Sequence, residues 1–509
     1  MPNVTPPTAA ELQRLKELQQ GFSQSFAETA DDRNALRTVV IIPSLSLDQE
    51  VLARISGVHH YEERQLCMLL LLRFPRTHVI YLTSMPIAES IVDYYLHLLP
   101  GIPAQHARRR LTLISCDDAS PAPLTQKLLA RPRVLERIRK AIPDASRAHM
   151  TCFTVTELER ALGLALDLPV YGCDPSLCYL GTKSGSRKIF REAGLDLPEG
   201  TEDLADATDI AEALADLKGK KPDLARAVVK LNDGFSGEGN AIFDYADAPQ
   251  GTTLVPWVKQ RLPNLSYEAG GMTWDLYSEK FHAMGGIVEE FIPGDDKRSP
   301  SAQLRIDPTG AIETVSTHDQ VLGGDNAQIF LGCKFPADDA YRLEIQNRGL
   351  KVAEILASRG ALGRFSVDFL SMPNPDGSWR HVAIEINLRK GGTTHPFLML
   401  QSLTDGTYCR DTGHFLIPGG KPRYYYASDN LESDLYRGLL PFDLIDIAAM
   451  NRLHFHGTNQ EGVVFHLMGA LSEFGKLGVV SIGSSFERAE AYYRETVDIL
   501  DKEGRAWLR

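Results

Sequence analysis

Between residues 364 and 396 the chain reads RFSVDFLSMPNPDGSWRHVAIEINLRKGGTTHP: a strand ending near Asp368, a turn-rich gap, and a second strand carrying Glu385 and Asn387. Strand side chains alternate, so Glu385, Asn387 and Arg389 share one face while Ile384, Ile386 and Leu388 turn to a core. Asp368 joins the polar face across the hairpin. Two carboxylates and an amide make an all-oxygen set, which suits a hard cation such as Mg²⁺ that shares its ligands with substrate phosphates. A hairpin with a merely solvated polar face fits the same residues, and other segments must decide.

Three segments bear on that choice. In VVKLNDGFSGEGN, a strand bearing Lys230 runs into a loop where Gly234, Gly237 and Gly239, with Ser236 between them, let backbone N–H groups approach phosphate oxygens. The spacing is neither a P-loop nor a dinucleotide fingerprint, and a plain glycine-rich hairpin fits it equally well. Lys183 stands just before a helix expected from Ser186 to Ala193, in GTKSGSRKIFREAGLDLP. In IVEEFIPGDD, a strand breaks at Pro293-Gly294, which marks a hinge with free backbone groups around Glu290 and Ile292. Glu289 there is a candidate for an adenine amine and Asp296 for ribose hydroxyls.

The elements that must position these groups follow from patterning. Val39 to Pro43, His78 to Leu82 and Leu111 to Ser115 are short β-branched runs with helical patterns between them at Gln49 to Leu72 and Ile87 to Leu98, the alternation of a parallel α/β sheet. Ligands of such sheets sit at the carboxyl ends of strands, which marks Ser44, Ser46, Thr83, Ser84, Asp117 and Asp118. From Leu180 onward the pattern becomes α+β with antiparallel sheets: strands Ala227 to Leu231, Gly286 to Ile292, Ser301 to Ile306 and Ile312 to Gln320, and a helix Ala340 to Arg359. After about Gly420 the chain reads as loop-rich, closing with a helix for which Ser484 and Glu487 fit a capping box. The expected divisions are an N-terminal segment 1–36, an α/β domain 37–179, a central domain 180–418 and a small C-terminal α/β extension 419–509.

At 509 residues the chain is too long for one core. A net charge of −12 argues against nucleic acid or an anionic membrane as partner, and Arg108 to Arg110 read as solvated. The seven cysteines have no CxxC spacing, so a reducing compartment is expected. The start MPNVTPPTAAELQRLKELQQ lacks a basic segment followed by an apolar run, and Cys67 to Leu72 is too short to span a bilayer. A soluble cytoplasmic protein is expected. His318, Asp319 and Gln320 are candidates for an acceptor site, while His454, His456 and His466 lack the carboxylates or thiols of a metal centre. Cys333 has no paired base for nucleophilic work.

Taken in order, the lysine before the AGLDLP helix, the strand lysine with its glycine loop, the VEEFIPG hinge, and Asp368 with Glu385-Ile386-Asn387 resemble the ATP-grasp superfamily of carboxylate–amine ligases over roughly Leu180 to Leu403. The ending EGVVFHLMGALSEFGKLGVVSIG is similar to that of the pheganomycin-type peptide ligases. The resemblance implies an α/β pre-grasp domain, an ATP-grasp fold, and ATP and Mg²⁺. It also implies amino acid and amine or peptide substrates, with a homodimer common in the family. Carried over, Lys183 and Lys230 contact phosphates, Gly234, Ser236, Gly237 and Gly239 form the phosphate loop, and Glu289, Glu290, Ile292 and Asp296 hold adenine and ribose. Asp368, Glu385 and Asn387 take the metal. Relatives place an arginine two residues before the first metal acid, where Ser366 stands here; Arg364 and Arg389 are the candidates to stabilise a tetrahedral intermediate, Arg389 the better placed. Rival readings are an ATP-grasp ligase using a non-peptide amine acceptor and a catalytically silent nucleotide-binding sensor or scaffold.

Overall fold

In a computed structural model the protein is described for residues 6–46, 52, 55–234, 239–249, 253–294, 296–323 and 329–507. The first β-branched runs pair in parallel as the sequence predicts. Strands β1 (Arg37–Ile42), β2 (Thr77–Thr83), β3 (Leu111–Ser115), β4 (Ala148–Cys152) and β5 (Val170–Tyr171) form a five-stranded sheet in the order 3-2-1-4-5. Val39, Ile41, Val79 and Tyr81 enter one core and Val40, Ile42, Ile80 and Leu82 another. Strands apolar on both faces are what a parallel sheet covered on both sides requires.

The expected helix from Gln49 lies partly outside the described residues, and its described part is a 3₁₀ coil, Val58–Arg73, that is mostly buried. It carries Glu62, Glu63, Arg64 and Gln65 into the interior, a charge-rich stretch that periodicity alone assigns to a surface. Arg110 also departs from its expected solvated state. It is buried, and its guanidinium donates to the carbonyls of Leu72, Phe74 and Thr77.

A second, antiparallel sheet holds β6 (Gly200–Leu204), β7 (Arg226–Leu231), β8 (Asn240–Asp244), β9 (Ser266–Tyr267) and β10 (Gly286–Glu290) in the order 6-10-7-8-9. The helices Ala207–Lys220 and Trp274–Met284 pack on it through Ile210, Leu214, Tyr277 and Phe281.

The third sheet starts with β11 (Pro300–Ile306), β12 (Ile312–Gly323), β13 (Ile329–Phe335), β14 (Gly363–Pro373) and β15 (Trp379–Asn387). Helix Arg342–Ser358 covers it, burying Ile345, Val352 and Leu356 against Leu304 and Phe365. Past β13 the sheet continues into the stretch expected to be loop-rich. There β16 (Thr407–Cys409), β17 (His414–Leu416), β18 (Pro422–Glu432), β19 (Gly462–His466) and β20 (Lys476–Gly483) bring it to ten strands, with β18 paired to both β13 and β20. The closing helix, Phe486–Trp507, is capped one residue later than expected: Arg488 N donates to Ser485 Oγ at 3.2 Å. Among the described residues no helix is long and apolar enough to cross a membrane.

Candidate active site

The hairpin register places Asp368 directly opposite Glu385 and Ser366 opposite Asn387, with a bulge just after Asp368. Asn387 Nδ2 donates to Asp368 Oδ2 at 2.9 Å, so the three expected ligands do meet. Their ionisation is set by the surroundings. Desolvation, then the neighbouring Glu385 charge, pushes the Asp368 carboxyl up to about 6 against hydrogen bonds from Ser301 and Gln320. Desolvation also opposes ionisation of Glu385, but Lys183, with Nζ at 2.7 Å, and the nearby Arg389 and Lys230 outweigh it and hold that carboxyl below its usual range. Two carboxylates that repel one another beside an amide are a donor set a divalent cation would relieve. Among the described residues no group of three or more His, Cys, Asp or Glu side chains gathers. A set this small fits Mg²⁺, which takes one or two carboxylates and completes its octahedron with phosphate and water.

Lys183 reaches the site from the first turn of helix Lys183–Glu192, which begins three residues earlier than the sequence suggested. Thr182 Oγ1 caps that helix by accepting from Gly185 N at 3.0 Å, an arrangement worth about 1 kcal/mol. Position 185 admits only glycine, since a Cβ there would lie 1.8 Å from the Tyr179 carbonyl oxygen. The helix start is tied to the end of β7: Asn232 O accepts from Lys183 N at 3.2 Å and Asn232 Oδ1 from Ser184 N at 2.9 Å. One side chain thus couples the two phosphate-lysine candidates. Tyr277, fully buried, braces the base of the glycine loop by donating to Val229 O at 3.0 Å and Gly239 O at 3.1 Å. Gly234 and Gly239 line the cleft; Ser236 and Gly237 lie outside the described residues.

Glu289 and Glu290 both line the cleft, and each already has partners there. Glu289 is buried, ion-paired to Lys230 on one oxygen and to Arg187 Nη1 at 3.2 Å on the other. It holds Lys230 in place from within the cleft wall. Glu290 accepts from Glu199 N at 3.0 Å and pairs with Lys221, while Asp296 is exposed and outside the cleft lining. Ile292 does line the cleft, as do Lys297 and Arg298, two cations the sequence reading passed over.

The two arginine candidates separate clearly. Arg389 lines the cleft, and its Nη1 donates to Lys390 O at 2.9 Å. Arg364 points to the seam with the N-terminal domain, near Arg305, Tyr171 and Cys67, with Nη1 unpartnered; desolvation and Arg305 bring it down to about 10. Ser366, in the position where relatives carry arginine, lines the cleft.

Other candidates disperse. His318 is fully buried and hydrogen-bonds Tyr425 at 2.5 Å, and Asp319 receives Tyr341 Oη at 2.6 Å and Asp338 N at 2.9 Å. Asp319 and Gln320 both line the cleft, and Gln320 serves it further through its hydrogen bond to Asp368; His318 does not reach it. His466 pairs with His395 at 3.3 Å in the core. Cys333 is buried and its thiol is held well above its usual range by desolvation. Of the marked residues at the ends of β1 to β3, Ser84 bonds Glu62 and Ser46 bonds Glu159 in an internal polar network, Asp118 pairs with Arg131, and Asp117 is exposed; none of those marked lines the cleft.

The cleft encloses about 1140 Å³, and its wall draws on all parts of the chain: Tyr61, Arg64 and Phe153 from the N-terminal domain, and Asp429, Phe474 and Lys476 from the C-terminal strands. Lys390 pins the first of these parts to the end of β15. Its Nζ donates to Cys152 O at 2.6 Å, Thr151 Oγ1 at 2.7 Å and Gln65 Oε1 at 3.3 Å.

Residues 176–266 and 257–409 match the family profile described as IQCH-like, ATP-grasp, and residues 443–496 match the PGM1 C-terminal domain. The chain is 29% identical to an L-propargylglycine–L-glutamate ligase of Streptantibioticus cattleyicolor over 476 residues, covering 91% of this chain and 94% of that one. It is 24% identical to the IQ motif-containing protein H of Danio rerio, covering 80% of this chain but only 43% of that protein. Among solved structures, the biotin carboxylase–β,γ-ATP complex of Campylobacter jejuni superposes with a TM-score of 0.52 at 11% identity, covering 93% of this chain and 96% of that one. The biotin carboxylase domain of the 2-oxoglutarate carboxylase of Hydrogenobacter thermophilus, holding MgADP, gives 0.53 at 12%, covering 92% and 94%. At such identities these two likenesses establish the fold alone.

Proposed function

Because the chain belongs to the ATP-grasp superfamily, we propose that it is an ATP-dependent ligase that joins an amino acid carboxylate to an amine through an acyl phosphate, releasing ADP and phosphate. The observation that carries the reading is the meeting of Asp368, Glu385 and Asn387 with Lys183 and the Glu289-held Lys230 across one cleft between two sheets. The curated relative that spans 94% of its own length joins two amino acids by its printed name, which supports an amino acid as the carboxylate donor.

A carboxylate is a poor electrophile at neutral pH, so amide formation requires an activated acyl group. ATP supplies it by transferring its γ-phosphoryl group, leaving an acyl phosphate whose phosphate departs when the amine attacks. Asp368, Glu385 and Asn387 would hold Mg²⁺, which supplies charge neutralisation at the β- and γ-phosphate oxygens. Lys183 and Lys230 place fixed positive charge on the phosphate side, the first from a helix N-terminus that adds its own partial charge. Gln320 and Ser301 orient Asp368. Arg389, beside the metal acids, stabilises the oxyanion that forms as the amine adds to the acyl carbon.

A reducing cytoplasmic setting belongs to the same reading, supported by seven free thiols. So does a homodimer, for which the exposed Leu440, Phe442 and Met450 offer apolar surface, and sedimentation of the purified chain decides that point. The activity is tested by incubating the chain with Mg-ATP and pooled amino acids and short peptides, reading ADP release and mass spectra together. A product equal to two substrates less one water, in step with ADP, is expected. ATP binding with no turnover across the pool would overturn the ligase reading in favour of a nucleotide sensor.

A further inference from the structure

One end of the cleft uses none of the phosphate or metal residues. Its wall alternates cations and rings: the Arg389 guanidinium lies 5.9 Å from the Phe153 centroid, Arg64 lies 4.9 Å from that ring and 4.7 Å from Tyr61, and Lys476 Nζ lies 5.3 Å from Tyr61. Arg64 is the member that stands out. It is 5% exposed, yet of its donors only Nη1 has an acceptor, Asp429 Oδ2 at 3.1 Å. Nε and Nη2 have none, and Asp429 Oδ1 lacks a donor. Buried donors are almost always satisfied, so two orphans on one guanidinium call for a missing acceptor. Nε and Nη2 form one edge of the group, the fork that receives a carboxylate through two parallel hydrogen bonds.

We propose that Arg64 is the anchor for a carboxylate that the reaction leaves intact: the free carboxylate of the amine-bearing substrate, an α-amino acid or short peptide. The reacting carboxylate must lie at Arg389 and the metal acids, and Arg389 and Arg64 both pack against the Phe153 ring. A carboxylate on Arg64 is therefore held by a different cation from the one at the chemistry, beside the same ring. A swing of this long side chain off Asp429 turns its fork to the cleft it lines, while Tyr61, Phe153 and Phe474 supply apolar surface for the substrate side chain. The inference rests on the ligase reading and names its acceptor class. It also assigns work to the N- and C-terminal parts of the chain, which together build this end.

Equilibrium dialysis with Mg²⁺, a non-hydrolysable ATP analogue and a pool of amino acids, dipeptides and their carboxamides tests it, with retained species read by mass spectrometry. The wild type is expected to retain at least one free acid about tenfold or more over its carboxamide, the range of a charge-assisted hydrogen bond. Arg64→Met should lose that discrimination, and Arg64→Lys, which keeps the charge but not the fork, should keep only part of it, with nucleotide retention unchanged in both. Equal retention of acids and amides by the wild type, no retention of any pool member, or full discrimination in Arg64→Met overturns the proposal. If free acids are held only by a second carboxylate of dicarboxylic donors, the source is the donor and the acceptor assignment is refuted. Nucleotide retention in the same cell and ADP release from the wild type report on the ligase reading separately.

Discussion

Glu289→Gln keeps the side-chain volume and one acceptor oxygen but removes a charge that is 3% exposed and shared by Lys230 and Arg187. The sequence reading makes this residue an adenine contact, for which the change would raise KM for ATP and little else. The structure predicts a loss of stability without any nucleotide present. Arg187 would still have Glu202 at 3.1 Å and Pro198 O at 2.9 Å, so only Lys230 is left a buried cation without a paired charge in contact. The cost therefore falls at the low end for breaking a buried pair, about 3 kcal/mol. For a cooperative unit of 150 to 250 residues this lowers Tm by roughly 6 to 12 °C. Thermal denaturation of the nucleotide-free protein measures it, and adding Lys230→Met to the Glu289→Gln variant should recover part of the loss, since the orphaned charge is then gone. A melting temperature within a degree or two of wild type, with only KM for ATP raised, would refute the reasoning and return Glu289 to a free ligand role.

Glu385→Gln should abolish ADP formation while sparing the architecture of the fold, because it removes a metal charge without changing shape, although Lys183 loses its paired charge and some stability goes with it; normal turnover would show that the hairpin holds no metal. Arg389→Met should lower kcat by about a hundredfold or more, the usual effect of losing an oxyanion donor, whereas Arg364→Met should leave kcat near wild type and alter stability; steady-state kinetics of the pair distinguishes the two arginines. Stability should also fall with acid. His318 and His466 are both fully buried and held down to about 3 by desolvation, and the buried His395 lies well below its usual range. The unfolded chain then binds protons below about pH 6.5 that the native state refuses, so stability is fully present above that value and lost as pH falls through the window toward 3. Each histidine should remove about 1 kcal/mol between pH 7 and 5.5, read as a fall in urea midpoint; an unchanged midpoint would contradict their burial as neutral groups.

What the sequence makes legible here is local. The Asp368–Glu385–Asn387 face follows from strand alternation and a single hairpin, and the β-branched runs of the parallel sheet are continuous segments whose apolar character survives any tertiary arrangement. The misses have long-range causes. Glu289 faces Lys230 and Arg187 across strand and helix, and nothing at 287–296 announces either partner. His318 reads as polar at a strand end until Tyr425, more than a hundred residues on, closes over it. Pro422–Glu432 looks like loop because its Tyr, Ser, Asp and Asn residues mask a strand that packs between β13 and β20. Arg64, the centre of the proposed acceptor end, sits in a charged run whose burial depends on Phe153, Asp429 and the 3₁₀ coil, a combination that no local pattern in the sequence displays.

The continuity of the ten-stranded sheet also governs when, during synthesis, this protein can first act. Domains form in order as a chain leaves the ribosome, and the lysines and the metal hairpin are all present once residues through β15 have emerged. Yet Asp429 belongs to β18, Phe474 and Lys476 stand at the start of β20, and β18 is flanked by β20 on one side. A nascent chain that stops short of β20 owns the chemistry but has one side of its cleft open to water, where an acyl phosphate would be hydrolysed. Competence for ligation therefore arrives late, with the last strand; before it, any acyl phosphate formed would be lost to water and its ATP spent without an amide.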